Sequence, residues 1–233
     1  MDVSPLVVFD LDGTLVDTAP DLVATLNVVL AGEGLPPVAY EVARIMVGGG
    51  ARLMIERGLA AEGRSLPEPE VDRLFRAFID HYATHIADAS RPFPDAEAAL
   101  DVLAGRGCRL AVCTNKLEWL SVRLLDALGL SQRFAAICGA DTFRIAKPDP
   151  EILRLTIARA GGEPTRAVMI GDSMTDIATA RAAGIPVVAV DFGYTETPVT
   201  ALGPDRVVSS FAALPAVVLE VLEAFSGKIN VKG

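Results

Sequence analysis

Positive charge is in short supply in this chain. The 21 lysines and arginines do not balance the 30 acidic residues, and the formal net charge is −9. That deficit argues against non-specific nucleic-acid binding, which draws its affinity from basic patches. It does not exclude an anionic substrate, because the field at one site can oppose the field of the whole molecule. Cysteine is also scarce. Cys108, Cys113 and Cys138 are odd in number and contain no Cys-x-x-Cys pair, which points to reduced thiols and a cytosolic protein. Cys113 and Cys138 lie in strand-like runs and read as buried structural thiols. The two histidines, His81 and His85, share one helix face. Zinc needs more ligands and no Glu sits beside His81, so a surface helix is the reading. No apolar stretch approaches about 18 residues, so no membrane span is expected. The first residues lack the basic-then-apolar profile of a signal peptide. No repeat or low-complexity run appears.

What is present is a hydrophobic half, 51% of residues, enough to bury a real core. At 233 residues the chain fits one large domain, or one core with an inserted module. From about residue 92 onward, strands alternate with helices. Strands are expected at 109–115, 135–140, 166–170, 186–190 and 206–209. Between them, a helix from Leu117 stops at Gly129, Pro150 opens another that ends at Gly161, and a third runs to Ala183 before Gly184. The alternation predicts an α/β fold, a parallel sheet with helices on both faces. Residues from about 17 to 88 differ: candidate helices at 20–31, 39–47, 51–60 and 68–87, and no convincing strand. The expected organisation is a Rossmann-like core from 1–16 and 89–226, an all-helical insertion at 17–88, and a flexible tail at 227–233.

Asp10 and Asp12 are the most informative residues. They end the apolar run Leu6-Val7-Val8-Phe9, which reads as a buried strand. Two carboxylates two apart can project the same way, because side chains alternate in a strand. Held that close, they resist joint ionisation unless a cation sits between them. The arrangement suits a hard divalent metal and a carboxylate nucleophile. Asp12-Gly13 is also a hairpin signal, but a helical pattern follows it rather than a second alternating strand. An EF-hand loop needs Gly sixth and Glu twelfth; here Gly13 is fourth and Asp21 twelfth.

Open α/β sheets bind ligands at the carboxyl ends of their strands. Two further strands end in polar groups there. One ends in Thr114-Asn115, able to hydrogen-bond a phosphate oxygen. The other ends in Gly171-Asp172-Ser173, with Asp176 a turn further on. Lys147, in Lys-Pro-Asp-Pro, opens a helix between them. Singly, each has an ordinary structural reading as a helix cap or a solvated charge. Their order and shared sheet edge make accident improbable.

These four segments, Asp10-Leu-Asp12-Gly-Thr14, Thr114-Asn115, Lys147-Pro148 and Gly171-Asp172-Ser173-x-x-Asp176, resemble the four motifs of the haloacid dehalogenase-like hydrolase superfamily. The resemblance spans residues 6 to about 193. Within it, Val16-Asp17-Thr18-Ala19-Pro20-Asp21-Leu22 and Cys113-Thr-Asn-Lys116 look like bacterial phosphoglycolate phosphatases. The resemblance implies that Asp10 attacks phosphorus and that Asp12 acts as acid and base. It implies Mg²⁺ held by Asp10, the Asp12 main-chain carbonyl and Asp172. Thr114, Asn115 and Lys147 would hold phosphoryl oxygens. Thr14, Ser173 and Asp176 would support from behind, Thr14 by orienting Asp12 and Asp176 by orienting Lys147 or a metal-bound water. The insertion would be the helical cap. The dehalogenases lack a carboxylate at the position of Asp12, so phosphoryl transfer is favoured.

In the cap, Val47-Gly48-Gly49-Gly50 precedes a helix whose amides can bind an anion. It is not a P-loop, because no Gly-Lys-Ser/Thr follows. By the resemblance this loop faces the active site and helps choose the leaving group. Arg44 and Arg52 flank it as candidates for a substrate carboxylate, with a plain surface role equally open. The expected partner is a small phosphorylated metabolite, favouring 2-phosphoglycolate. A phosphosugar or nucleotide phosphatase, a phosphomutase and a catalytically silent binding protein remain alternatives. Neither nucleic acid nor membrane is expected as a partner, and oligomeric state is not legible.

Overall fold

A computed structural model of the chain describes residues 4–230. The expectations placed on residues 1–3 and 231–233 lie outside them. In chain order the strands and helices are β1 (Leu6–Phe9), β2 (Val16–Asp17), α1 (Ala19–Gly32), α2 (Tyr40–Arg44), α3 (Ala51–Ala61), α4 (Glu68–Thr84), β3 (Arg91–Pro92), α5 (Ala96–Gly105), β4 (Arg109–Cys113), α6 (Glu118–Ala127), β5 (Ala136–Cys138), α7 (Pro150–Arg159), β6 (Ala167–Gly171), α8 (Met174–Ala183), β7 (Val187–Val190), β8 (Arg206–Val208) and α9 (Leu214–Asn230).

Six strands form one sheet in the order β5-β4-β1-β6-β7-β8, every neighbouring pair parallel. Parallel strands need crossovers, and the helices between them cover both faces. The side chains of β1 divide accordingly. Val7 and Phe9 join a cluster with Leu100 of α5, Leu124 of α6 and Val218 of α9. Leu6 and Val8 join Ile152 and Ile157 of α7 and Ile177 of α8. This strand is buried on both sides, so its sequence is uniformly apolar. The same order sets β1 between β4 and β6, which brings three polar strand ends together.

Helices α1–α4 are inserted between β1 and the rest of the sheet. Their contacts follow helical spacing: Leu22 and Leu26 of α1, Met54 of α3, and Leu74, Phe78 and Tyr82 of α4 belong to the same cluster as Phe9. The chain enters and leaves this block side by side. Val16 pairs with Pro92 and Asp17 with Arg91 in a short antiparallel ribbon. Buried Asp21 clamps the return, accepting from Ser90 N–H at 2.8 Å and Ser90 Oγ at 2.6 Å.

Three details differ from the sequence reading or add to it. The helix expected over 39–47 is helical only over Tyr40–Arg44, then passes through turns to Gly49, because the glycine run resists helix. The two-residue ribbon of β2 and β3 was not foreseen, since two residues carry no period. The tail expected from 227 is helical through Asn230. Among the described residues no helix is long and apolar enough to cross a membrane. All three cysteines are buried and free.

Candidate active site

Asp10 leaves the end of β1 with its N–H on the Ile170 carbonyl of β6 at 2.9 Å. Thr114 follows β4 and Asp172 follows β6, so adjacency in the sheet places these side chains around one point. Asp10, Asp12, Thr114, Lys147, Asp172 and Asp176 are all buried. Lys147 Nζ lies 2.9 Å from Asp10 Oδ1 and donates to Asp176 Oδ1 at 2.6 Å. Asp176 is tied down in turn. Its Oδ2 accepts from Ser173 Oγ at 2.6 Å, and Ser173 Oγ accepts from Asp176 N–H, a reciprocal cap on α8. Asp176 thus meets the Lys147 ammonium directly, one of the two partners the resemblance implies for it.

Asp10, Asp172 and Asp176 each bring one oxygen within 4.8 Å of the others. Burial, with Asp176 and Asp172 nearby, pushes the Asp10 carboxyl up to about 7 against the pull of Lys147. Burial, then Asp176, pushes Asp172 up to about 6, while the Tyr194 N–H and the Thr14 hydroxyl pull it down. For Lys147, burial opposes the charge, but Asp10 and Asp176 outweigh it and the ammonium is held well above its usual range. The site thus carries more negative charge than its lysine can offset. Asp10 Oδ1 is buried, and among the described residues it meets no hydrogen-bond donor in good geometry, only the Lys147 ammonium at 2.9 Å. Three buried carboxylates converging around a single lysine, all with oxygen donors, fit a hard divalent cation. Asp176 accepts from Lys147, from Ser173 and from the Asp172 N–H, whereas each Asp172 oxygen accepts one bond, from Thr14 or from Tyr194, so Asp10 and Asp172 keep more lone-pair capacity for a cation.

Several expected contacts fall elsewhere. Thr14 does not orient Asp12: its hydroxyl donates to Asp172 Oδ1 at 2.7 Å. Gly13, at φ 82°, reverses the chain and carries Thr14 across to the β6 side. Thr18 takes the expected role, donating to Asp12 Oδ1 at 2.8 Å. Asn115 does not present a free amide to a phosphate. Its Oδ1 accepts from Lys147 N–H at 2.8 Å and its Nδ2 donates to the Lys147 carbonyl at 3.2 Å, so it positions the Lys147 backbone. Arg44 is not among the residues lining the cavity described below; its guanidinium lies 5.3 Å from the centre of the Tyr194 ring. Arg52 does line it, but pairs with Glu68 at 3.0 Å and with Asp72. His81 and His85 stack on each other and meet Thr25 and Asp88, away from the carboxylate cluster.

Two unforeseen residues matter. Lys116 donates to Asp12 Oδ2 at 2.9 Å. Burial opposes its charge, yet Asp12 and Tyr82 raise it above its usual range. Tyr194 donates its N–H to Asp172 Oδ2 at 2.8 Å, while its hydroxyl accepts from Ala19 N–H and donates to Asp17, linking the loop after β7 to the ribbon at the root of the insertion. Lys116 directly follows Thr114-Asn115, which was the available signal. Tyr194 had none.

A cavity of about 300 Å³ opens between sheet edge and cap. Asp10, Asp12, Thr114, Lys116 and Lys147 form its floor; Gly48–Gly50, Phe78 and Tyr82 wall its cap side. The model of the haloacid dehalogenase-like hydrolase family matches residues 5–184. The chain belongs to that family. The match covers the β1, β4 and β6 ends and the whole insertion, so every motif just described falls inside the family's span. A phosphoglycolate phosphatase of Mesorhizobium japonicum is 52% identical over 96% of this chain and 98% of its own length. An N-acetylmuramic acid 6-phosphate phosphatase of Pseudomonas aeruginosa is 40% identical over 81% of this chain and 82% of its own. Among solved structures, one described as a predicted phosphoglycolate phosphatase from Haemophilus somnus superposes with a TM-score of 0.85 at 30% identity, covering 93% of this chain and 99% of that one.

Proposed function

We propose that this chain is a cytoplasmic, Mg²⁺-dependent phosphomonoester hydrolase that cleaves 2-phosphoglycolate through a phosphorylated Asp10. The observation that supports it most is the buried set Asp10, Lys147, Asp172 and Asp176 beside Asp12, with Asp10, Asp12 and Lys147 at the floor of the cavity. Asp10 Oδ attacks phosphorus and forms the acyl phosphate while the bond to the leaving oxygen breaks. Asp12 gives that oxygen its proton and later takes one from the water that releases phosphate. Lys147 and the Thr114 hydroxyl hold the phosphoryl oxygens, fixed in place before substrate arrives. Asp10, Asp172 and the Asp12 carbonyl would hold Mg²⁺, which offsets phosphoryl charge. Residues 17–88 act as a cap whose closure keeps water from the acyl phosphate until glycolate has left.

The cavity volume favours a small leaving group, since it lies at the lower end of the roughly 300–1,000 Å³ usual for small-molecule sites. The 40% identical relative named for a sugar acid phosphate keeps a phosphosugar as the second reading. Phosphate release across phosphorylated metabolites, with kcat/KM for each in Mg²⁺ and in chelator, tests both. The expected result is a metal-dependent maximum at 2-phosphoglycolate. A sugar phosphate preferred by more than about tenfold, one step of 1.4 kcal/mol, overturns the substrate. No release even from an aryl phosphate overturns the hydrolase.

A further inference from the structure

The cation nearest the leaving-group side of the floor is Lys116, and its surroundings are unusual. Its side chain is only 5% exposed and Nζ is 2.9 Å from Asp12. It stands over the Tyr82 ring at 4.5 Å from the centroid. Tyr82 comes from α4 in the insertion, is 1% exposed, and among the described residues its hydroxyl finds no partner in good hydrogen-bonding geometry. A buried, unpaired hydroxyl costs free energy unless something else bonds it. Both residues line the cavity. The other lining cations are committed: Lys147 to Asp10 and Asp176, and Arg52 to Glu68 and Asp72. Among the described residues the one counter-charge of Lys116 is Asp12, the group that must meet the leaving oxygen.

The geometry points to Lys116 Nζ and Tyr82 Oη as a carboxylate-binding subsite for the leaving group. This deepens the reading above and rests on it. In a 2-phosphorylated hydroxy acid the carboxyl carbon is two bonds from the leaving oxygen. A cation held against Asp12 is therefore within reach of that carboxylate while Asp12 serves the oxygen. Lys116 supplies the charge-assisted bond and Tyr82 a donor from the opposite wall. Core and cap each contribute one group, so the leaving group is recognised fully only when both walls face it. The subsite is distinct from the Gly48–Gly50 loop and from Arg44 and Arg52, to which recognition was first assigned.

The test compares 2-phosphoglycolate with its carboxamide, which keeps shape and loses charge, in the full-length protein with Mg²⁺. The wild type is expected to prefer the acid in kcat/KM by roughly 10–100-fold, the worth of one hydrogen bond to a charged group. Lys116→Met should bring that ratio to within about threefold of one, and Lys116→Arg should restore part of it. Tyr82→Phe, which keeps the ring, should lower the ratio by roughly 2–10-fold, as for a neutral hydrogen bond. Equal losses on both substrates in Lys116→Met, with the ratio intact, overturn the subsite and leave Lys116 as a prop for Asp12. Binding of 3-phosphonopropionate and its carboxamide, measured by calorimetry, reads the subsite without turnover. A Lys116-dependent acid preference in binding, in a protein that releases no phosphate, would support the subsite and sink only the hydrolase reading. Robust turnover of 2-phosphoglycolate with no acid preference in either assay would do the reverse. If Lys116→Met does not fold, Tyr82→Phe decides by the same ratio.

Discussion

On the sheet side of the cavity, Lys147 is wedged between Asp10 and Asp176, Asp176 is held by Ser173, and Asp172 is held by Thr14 and Tyr194. On the cap side, Arg52 reaches Glu68 and Asp72 across half-exposed surface, and the glycine loop touches the core at long range, Asn115 Nδ2 to the Gly48 carbonyl at 3.5 Å. Removing one partner of a buried pair costs about 3–5 kcal/mol, whereas an exposed pair is worth about 0–1 kcal/mol. The contrast teaches where rigidity is needed. Charge that must stabilise a transition state is fixed in advance by buried bonds. Groups that admit and enclose the substrate are tied weakly enough to move.

The sharpest way to break this comparison is at the nucleophile. Asp10→Asn should lower phosphate release by more than about 10⁴-fold, on the scale of nucleophile removal in other hydrolases. The fold should persist, because Lys147 keeps Asp176 as its counter-charge. A folded Asp10→Asn protein with near wild-type rate would remove Asp10 from the chemistry. Next comes Asp12→Asn. It should slow alkyl phosphates by ~10²–10⁴-fold and activated aryl phosphates much less, since a good leaving group needs little acid help. Equal losses in the phosphorylation step would contradict the role.

A third test concerns metal and pH. The Asp10 and Asp172 carboxyls rise from 3.8 to about 7 and about 6. Groups raised in the fold favour it when protonated, and that contribution, full below 3.8, is lost as pH climbs from there through about 6 and about 7. The metal-free protein should therefore lose stability over that window. Mg²⁺, binding the ionised carboxylates, should raise Tm more at pH 8 than at pH 5. At about 100 times its Kd the gain is ~2.7 kcal/mol, roughly 5–10 °C at this size. An Mg²⁺ effect on Tm that is equal at both pH values, or larger at pH 5, would count against the charge cluster as its site. The smallest effect is expected in the cap loop. Gly50 sits at φ 87° and ψ 163°, a region open almost only to glycine, where other residues cost about 1–3 kcal/mol. Gly50→Ala should shift the loop and lower kcat/KM for 2-phosphoglycolate relative to a small aryl phosphate. An unchanged ratio would make the loop a plain link between helices.

Much of the site was legible because its residues sit where periodicity changes. Asp10, Thr114 and Asp172 each follow a buried apolar run, and Asp176 falls one turn into a helix. The partners were not. Thr14 was expected on Asp12 and lies on Asp172, 158 positions away. Asn115 was expected on phosphate and braces Lys147. Lys116 reaches Asp12 across 104 positions. Tyr82 and Tyr194 belong to no motif that the sequence offers.

The sequence by itself determined that strands alternate with helices after residue 92, that helices alone fill the insertion, and that carboxylates end the first strand. Those are local properties, set by side-chain period, propensity and turn residues. Only the tertiary structure decided which oxygen meets which donor. The β4-β1-β6 order, a consequence of burying both faces of the sheet, brings three distant strand ends to one point. The positive φ at Gly13 then turns Thr14 toward Asp172, and the fold of α4 onto the core sets Tyr82 beneath Lys116. Hydrogen bonds are directional and short-ranged, so their pairing follows from where the packed core leaves each atom, and no local pattern records it.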